Sequence, residues 1–128
     1  MISKMKSKDG NHQEIINDTV LRALIGNDDE AISLVYVAFL ESGQSILDEV
    51  SLAMAEHNWQ LMLDAVHKLK SSALSVGANG VGDSAINIES LLKSDRSIRE
   101  ITNAVSLLKE QFSLVEIYIR KEFVVTRE

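Results

Sequence analysis

Three histidines occur in the chain and no cysteine, and the neighbours of one histidine suit it to chemistry. The run Val66-His67-Lys68-Leu69-Lys70-Ser71-Ser72-Ala73 reads as helix. With Leu69 at the centre of the buried face and about 100° per residue, Met62, Ala65, Val66, Ser72, Ala73 and Val76 fall within roughly 60° of it. His67 lies about 160° away by the same geometry and points into solvent. A solvated imidazole, with an ordinary pKa of about 6.5, is largely neutral near pH 7 and is a nucleophile that needs no adjacent base. Lys70, one turn on, offers three donors to an anionic group bound at the histidine. No acidic residue stands three or four positions from Lys70 to occupy it. Ser71 adjoins the histidine and is small, so a reacting partner has room to approach.

The rest of that outer face carries Gln60, Leu63, Asp64 and Leu74, two leucines among polar and charged residues, which marks a docking surface. Lys68, about 100° round from His67, flanks the nucleophile and is placed to tune partner approach. His12 and His57 read as ordinary surface residues. Scattered histidines without an i, i+4 pair supply no metal site.

Elements that could position this face follow from periodicity and breakers. Residues 1–14 are polar, lysine-rich and aperiodic, so a mobile N-terminal arm is expected, followed by one domain over residues 15–128. The chain has no proline, and Gly77, Gly80 and Gly82 crowd into one of the few breaks. A short helix is predicted from Asn17 or Asp18 to Gly26 with Val20, Leu21, Leu24 and Ile25 as its apolar side. Asn27 with Glu30 has capping-box spacing and opens a long helix to about Glu56, with Ile32, Val35, Tyr36, Phe39, Gly43, Ile46, Val50 and Ala53 at helical period. Asn58 caps a third helix from Trp59 to Val76, stopped by Gly77. A fourth starts near Asn79 to Gly82, shows Val81, Ala85, Ile88 and Leu92, and breaks at Ser94-Asp95. Ser97 and Glu100 form a second capping box before Ile98, Ile101, Val105, Leu108, Phe112, Val115 and Ile119. The expected architecture is all-α: an antiparallel, up-down-up-down four-helix bundle with one short additional N-terminal helix.

Composition excludes several function classes. A formal net charge of -6 argues against a nucleic-acid partner, which needs a basic footprint. No apolar run approaches a membrane span, and no apolar segment follows the first lysines as a secretory signal would, so a cytoplasmic protein without membrane association is expected. No glycine-rich phosphate loop and no acidic cluster for magnesium is visible, so autokinase activity is not expected.

The segment His67-Lys68-Leu69-Lys70-Ser71-Ser72-Ala73, followed by Gly77-Ala78, resembles the histidine-containing phosphotransfer (HPt) domain family, whose hallmark is His-x-Leu-Lys-Gly-Ser-Ala and then Gly-Ala. Ile88-Glu89 matches the family's Leu-Glu position, Phe39-Leu40 its Phe-Leu and Asn58-Trp59 its Asp-Trp, so the resemblance spans roughly Asp18 to Tyr118. Ser71 departs from the common glycine but remains small. The resemblance implies a phosphorelay intermediate that takes a phosphoryl group on His67 from a receiver-domain aspartate and passes it to another receiver domain. It implies Lys70 as phosphoryl contact and Ser71 as the opening for the receiver. The partners would be receiver domains of response regulators and of a hybrid sensor histidine kinase. Magnesium would belong to the receiver, with no cofactor in this chain, and a monomer is expected. The competing expectation is a non-catalytic helical adaptor or inhibitor that binds receiver or kinase partners through the same face.

Overall fold

The structure is a computed structural model and describes residues 15–123. The expected arm at residues 1–14 and the end of the expected domain at 124–128 lie outside the described residues. Among the described residues the elements are α1 (Thr19–Ile25), α2 (Asp29–Glu56), α3 (Trp59–Val76), α4 (Asn79–Lys93) and α5 (Ile98–Glu122), with no strand.

Local chemistry sets most boundaries. Ser97 accepts from Glu100 N–H at 3.1 Å while Glu100 reaches back to the Ser97 N–H, closing the expected capping box of α5. Asn58 caps α3 by accepting from Leu61 N–H at 3.1 Å, and α3 ends at Gly77, whose φ of 84° suits a residue without Cβ. The expected cap at Asn27 is corrected by one residue. Asp28 caps α2, its carboxylate accepting from the N–H groups of Glu30 and Ala31. A carboxylate there also adds charge complementary to the helix N-terminus, which the box spacing alone did not weigh.

Turns of two to four residues join α2 to α5, so consecutive helices run antiparallel. α3 packs closely against α2 and α4, α5 against α4, and α2 closes the ring against α5. Met62, Ala65, Val66, Leu69, Ala73 and Val76 of α3 are buried as the period requires, with Ser72 half-buried. α2 buries a wider face than expected: Leu40 and Leu47 join Phe39 and Ile46 because this helix meets α1, α3 and α5 together. Val35 and Leu92 are only half-buried, and Ile98, at the start of α5, is exposed.

α1 departs furthest from its expected pattern. Leu21 is buried, whereas Val20, Leu24 and Ile25 face solvent. The bundle end is sealed instead by the residues before α1. Ile16 is buried, and Asn17 N–H donates to the Gly77 carbonyl at 2.9 Å. A Cβ at position 77 would strike the Asn17 backbone, so glycine serves both the left-handed turn and this contact. Among the described residues no helix is long and apolar enough to cross a membrane.

Candidate functional site

α3 and α4 together build the site. His67 sits mid-way along α3 with its side chain 62% exposed, as the helical period predicts. Its ring is not free. Nδ1 lies 2.9 Å from Glu89 Oε2, and the other carboxylate oxygen, Oε1, accepts from Lys70 Nζ at 2.9 Å. Glu89 comes from α4, buried but for 12% of its side chain, so one carboxylate bridges the imidazole and the lysine from beneath.

The electrostatics of this triad are self-consistent. Hydrogen bonds from His67 and then Lys70 hold the Glu89 carboxyl below the usual carboxylate range, against the opposing effect of burial. An ionised carboxylate only accepts, so the hydrogen-bond network assigns the ring proton to Nδ1. In the neutral ring the lone pair then sits on Nε2, for which no hydrogen-bond partner exists among the described residues. The arrangement is a surface nucleophile with a fixed tautomer and a cation beside it.

One expectation needs correction here. The sequence read His67 as needing no adjacent base and did not anticipate the carboxylate at its ring, and it left Lys70 without a carboxylate partner. The second reading is corrected: Glu89 is 22 residues from His67 and 19 from Lys70 along the chain, and helical spacing within α3 cannot see across to α4. The Leu-Glu likeness at Ile88-Glu89 was the one available signal.

The remaining residues spread around His67. Ser71 is exposed beside it. Lys68 turns to the opposite flank and pairs with Glu49 of α2 at 3.2 Å, both side chains well solvated. Gln60 and Asp64 are exposed and hydrogen-bonded to each other at 3.0 Å. Leu74 is 41% exposed and leans over Gly82 of α4, but Leu63 is half-buried, so the expected pair of exposed leucines reduces to one. Ile86 of α4, one turn from Glu89, is 42% exposed and adds an apolar side chain the sequence did not point to. Among the described residues no three His, Asp or Glu side chains gather where a metal ion could be held.

Comparison with known proteins agrees with this architecture. A crystal structure of a rice protein assigned as a histidine-containing phosphotransfer protein superposes with a TM-score of 0.75 at 19% identity, covering 91% of this chain and 85% of that one. No curated protein gives a significant sequence match. The family model for the Hpt domain matches residues 35–116, a stretch running from α2 through most of α5. On that match the chain belongs to the Hpt domain family, phosphoryl-group carriers rather than classical enzymes, which act as phosphorelay intermediates with receiver domains in two-component signalling.

Proposed function

We propose that His67 is the residue that carries the phosphoryl group. The observation that supports it is the exposed ring with Nδ1 tied to Glu89 and Nε2 open to solvent. Nε2 attacks the phosphorus of a receiver aspartyl phosphate. The P–O bond breaks with its electron pair leaving on the aspartate, and the imidazolium that forms is balanced by Glu89. Transfer onward reverses these steps on a second receiver.

Lys70 serves the phosphoryl oxygens as a point charge, sharing itself between them and Glu89. Ser71 leaves space for the receiver's aspartate. Gln60, Leu63, Asp64, Lys68 and Leu74 form the docking face, with Leu74 as its apolar contact and Leu63 contributing less. The partners are receiver domains of response regulators and of a hybrid sensor kinase, and the receiver brings the magnesium that its own chemistry uses. The chain works as a cytoplasmic monomer and does not phosphorylate itself.

Intact-protein mass spectrometry under neutral or alkaline conditions, after incubation with phosphorylated receiver domains, tests this. Wild type gains one acid-labile phosphoryl group and His67→Gln gains none while keeping its fold, since an exposed side chain is exchanged and Glu89 retains Lys70 as a partner. Binding to receivers without any mass gain would replace the carrier by an adaptor, and a gain that survives His67→Gln would remove His67 from the role.

A further inference from the structure

Among the described residues Glu89 is the one carboxylate set into the α3–α4 seam, and both its oxygens are committed to groups that the reaction uses. Its hydrogen bond to Nδ1 lies on the side of the ring away from the reacting nitrogen. That side matters more after phosphorylation than before it. Once phosphorus is on Nε2, the group can leave easily only if Nδ1 keeps its proton. Cleavage of the P–N bond then returns its electron pair to Nε2 and leaves a neutral imidazole, with the phosphoryl group passing to an aspartate oxygen or to water. Without that proton the leaving group is an imidazolate anion, which departs far more reluctantly.

We propose that Glu89 is a positioning residue that sets the lifetime of the phosphoryl group on His67, by keeping the Nδ1 proton in place through hand-off so that the carrier is built for transfer rather than storage. The inference rests on His67 being the carrier. A carboxylate 2.9 Å from Nδ1 and mostly shielded from water favours the protonated phospho-imidazole. The other charged groups on the helices around the ring are Lys68, Lys70 and Asp64 on α3, Glu49 on α2, and Lys93, four residues on from Glu89, on α4. Lys68 is engaged by Glu49 at 3.2 Å on the opposite flank, and Lys70 is held on the same carboxylate, so Glu89 is the acidic group that touches the ring.

Phosphoramidate, a small phosphoryl donor, loads His67 without a receiver and allows the lifetime to be measured alone. Glu89→Gln keeps a hydrogen-bond acceptor for Nδ1 but removes the charge. At about pH 8 its phosphorylated form should persist about threefold longer than wild type, because loss of the carboxylate charge takes Nδ1 from mostly protonated to mostly deprotonated at that pH. At about pH 5 the two lifetimes should converge, because both rings are then protonated. A merely structural role for Glu89 would not produce a difference that vanishes with acid. The same contrast should persist in a Lys70→Ala background. In the wild type alone, nitrogen NMR of the phosphorylated ring should show Nδ1 still protonated near pH 8.

Equal lifetimes at every pH, an effect lost with Lys70→Ala, or a deprotonated Nδ1 near pH 8 would each overturn the proposal. Loading of His67 with unchanged lifetimes leaves the carrier assignment standing and removes only this inference. Failure of wild type to load where His67→Gln behaves identically removes both.

Discussion

The α3–α4 seam and the α2–α5 seam belong to one bundle but are held in different ways. Across α3–α4 a nearly buried carboxylate, Glu89, satisfies both its oxygens on His67 and Lys70, and Gly82 accepts the side chain of Leu74. Across α2–α5 the contact is aromatic. Phe39 meets Phe112 with ring centroids 5.8 Å apart, Tyr36 meets Phe123 edge-on at 4.9 Å, and Phe112 rests directly on Gly43. Among the described residues the Tyr36 hydroxyl is a buried side-chain polar atom without a hydrogen-bond partner, and burial pushes the phenol pKa up. A stable seam needs only shape and apolar area. A charge set into a seam makes sense where something outside uses it, since a buried ion pair contributes little net stability.

Gly43→Leu should give the largest stability loss. The new side chain collides with the Phe112 ring, and unfolding by denaturant should show about 3 kcal/mol lost, the upper range for overpacking. Phosphoryl uptake under conditions where the variant remains folded should be unchanged. Coupled loss of both would show that the two seams are not separable.

An intermediate effect is expected in acid. The Glu89 carboxyl is held below its ordinary value by His67 and Lys70, so its contribution to stability is present above the unfolded value of about 4.5 and is lost as pH falls through the lower folded value. Comparing acid unfolding of wild type and Glu89→Gln should show wild type losing stability more steeply below about pH 4.5. Parallel curves would mean the carboxylate gains nothing from its partners. The smallest effect is expected from Tyr36→Phe, which removes a hydroxyl that lacks a partner. Thermal melts should show stability unchanged or raised by up to about 1 kcal/mol. A loss above that would mean the hydroxyl has an unseen partner, and the aromatic seam would be less dry than drawn.

Much of the bundle was legible along the chain because its signals are local. The buried face of α3, its Asn58 cap and Gly77 stop, and the Ser97–Glu100 box each lie within a few residues. Period alone misjudged α1, where three apolar residues face solvent while Ile16, outside the helix, is buried. A helix of two turns has too few contacts for its apolar pattern to dictate its orientation, and the Asn17–Gly77 backbone bond fixes the chain there instead.

The outward direction of His67 and the small residue after Lys70 were written in the order of amino acids, because a helix converts spacing into angle. The partnership of His67 and Lys70 with Glu89 was not, since it joins residues 22 and 19 positions apart through the packing of α4 on α3. Local geometry therefore set which face the nucleophile occupies. Helix packing set which ring nitrogen is left open, because the carboxylate that claims the other nitrogen lies on a different helix.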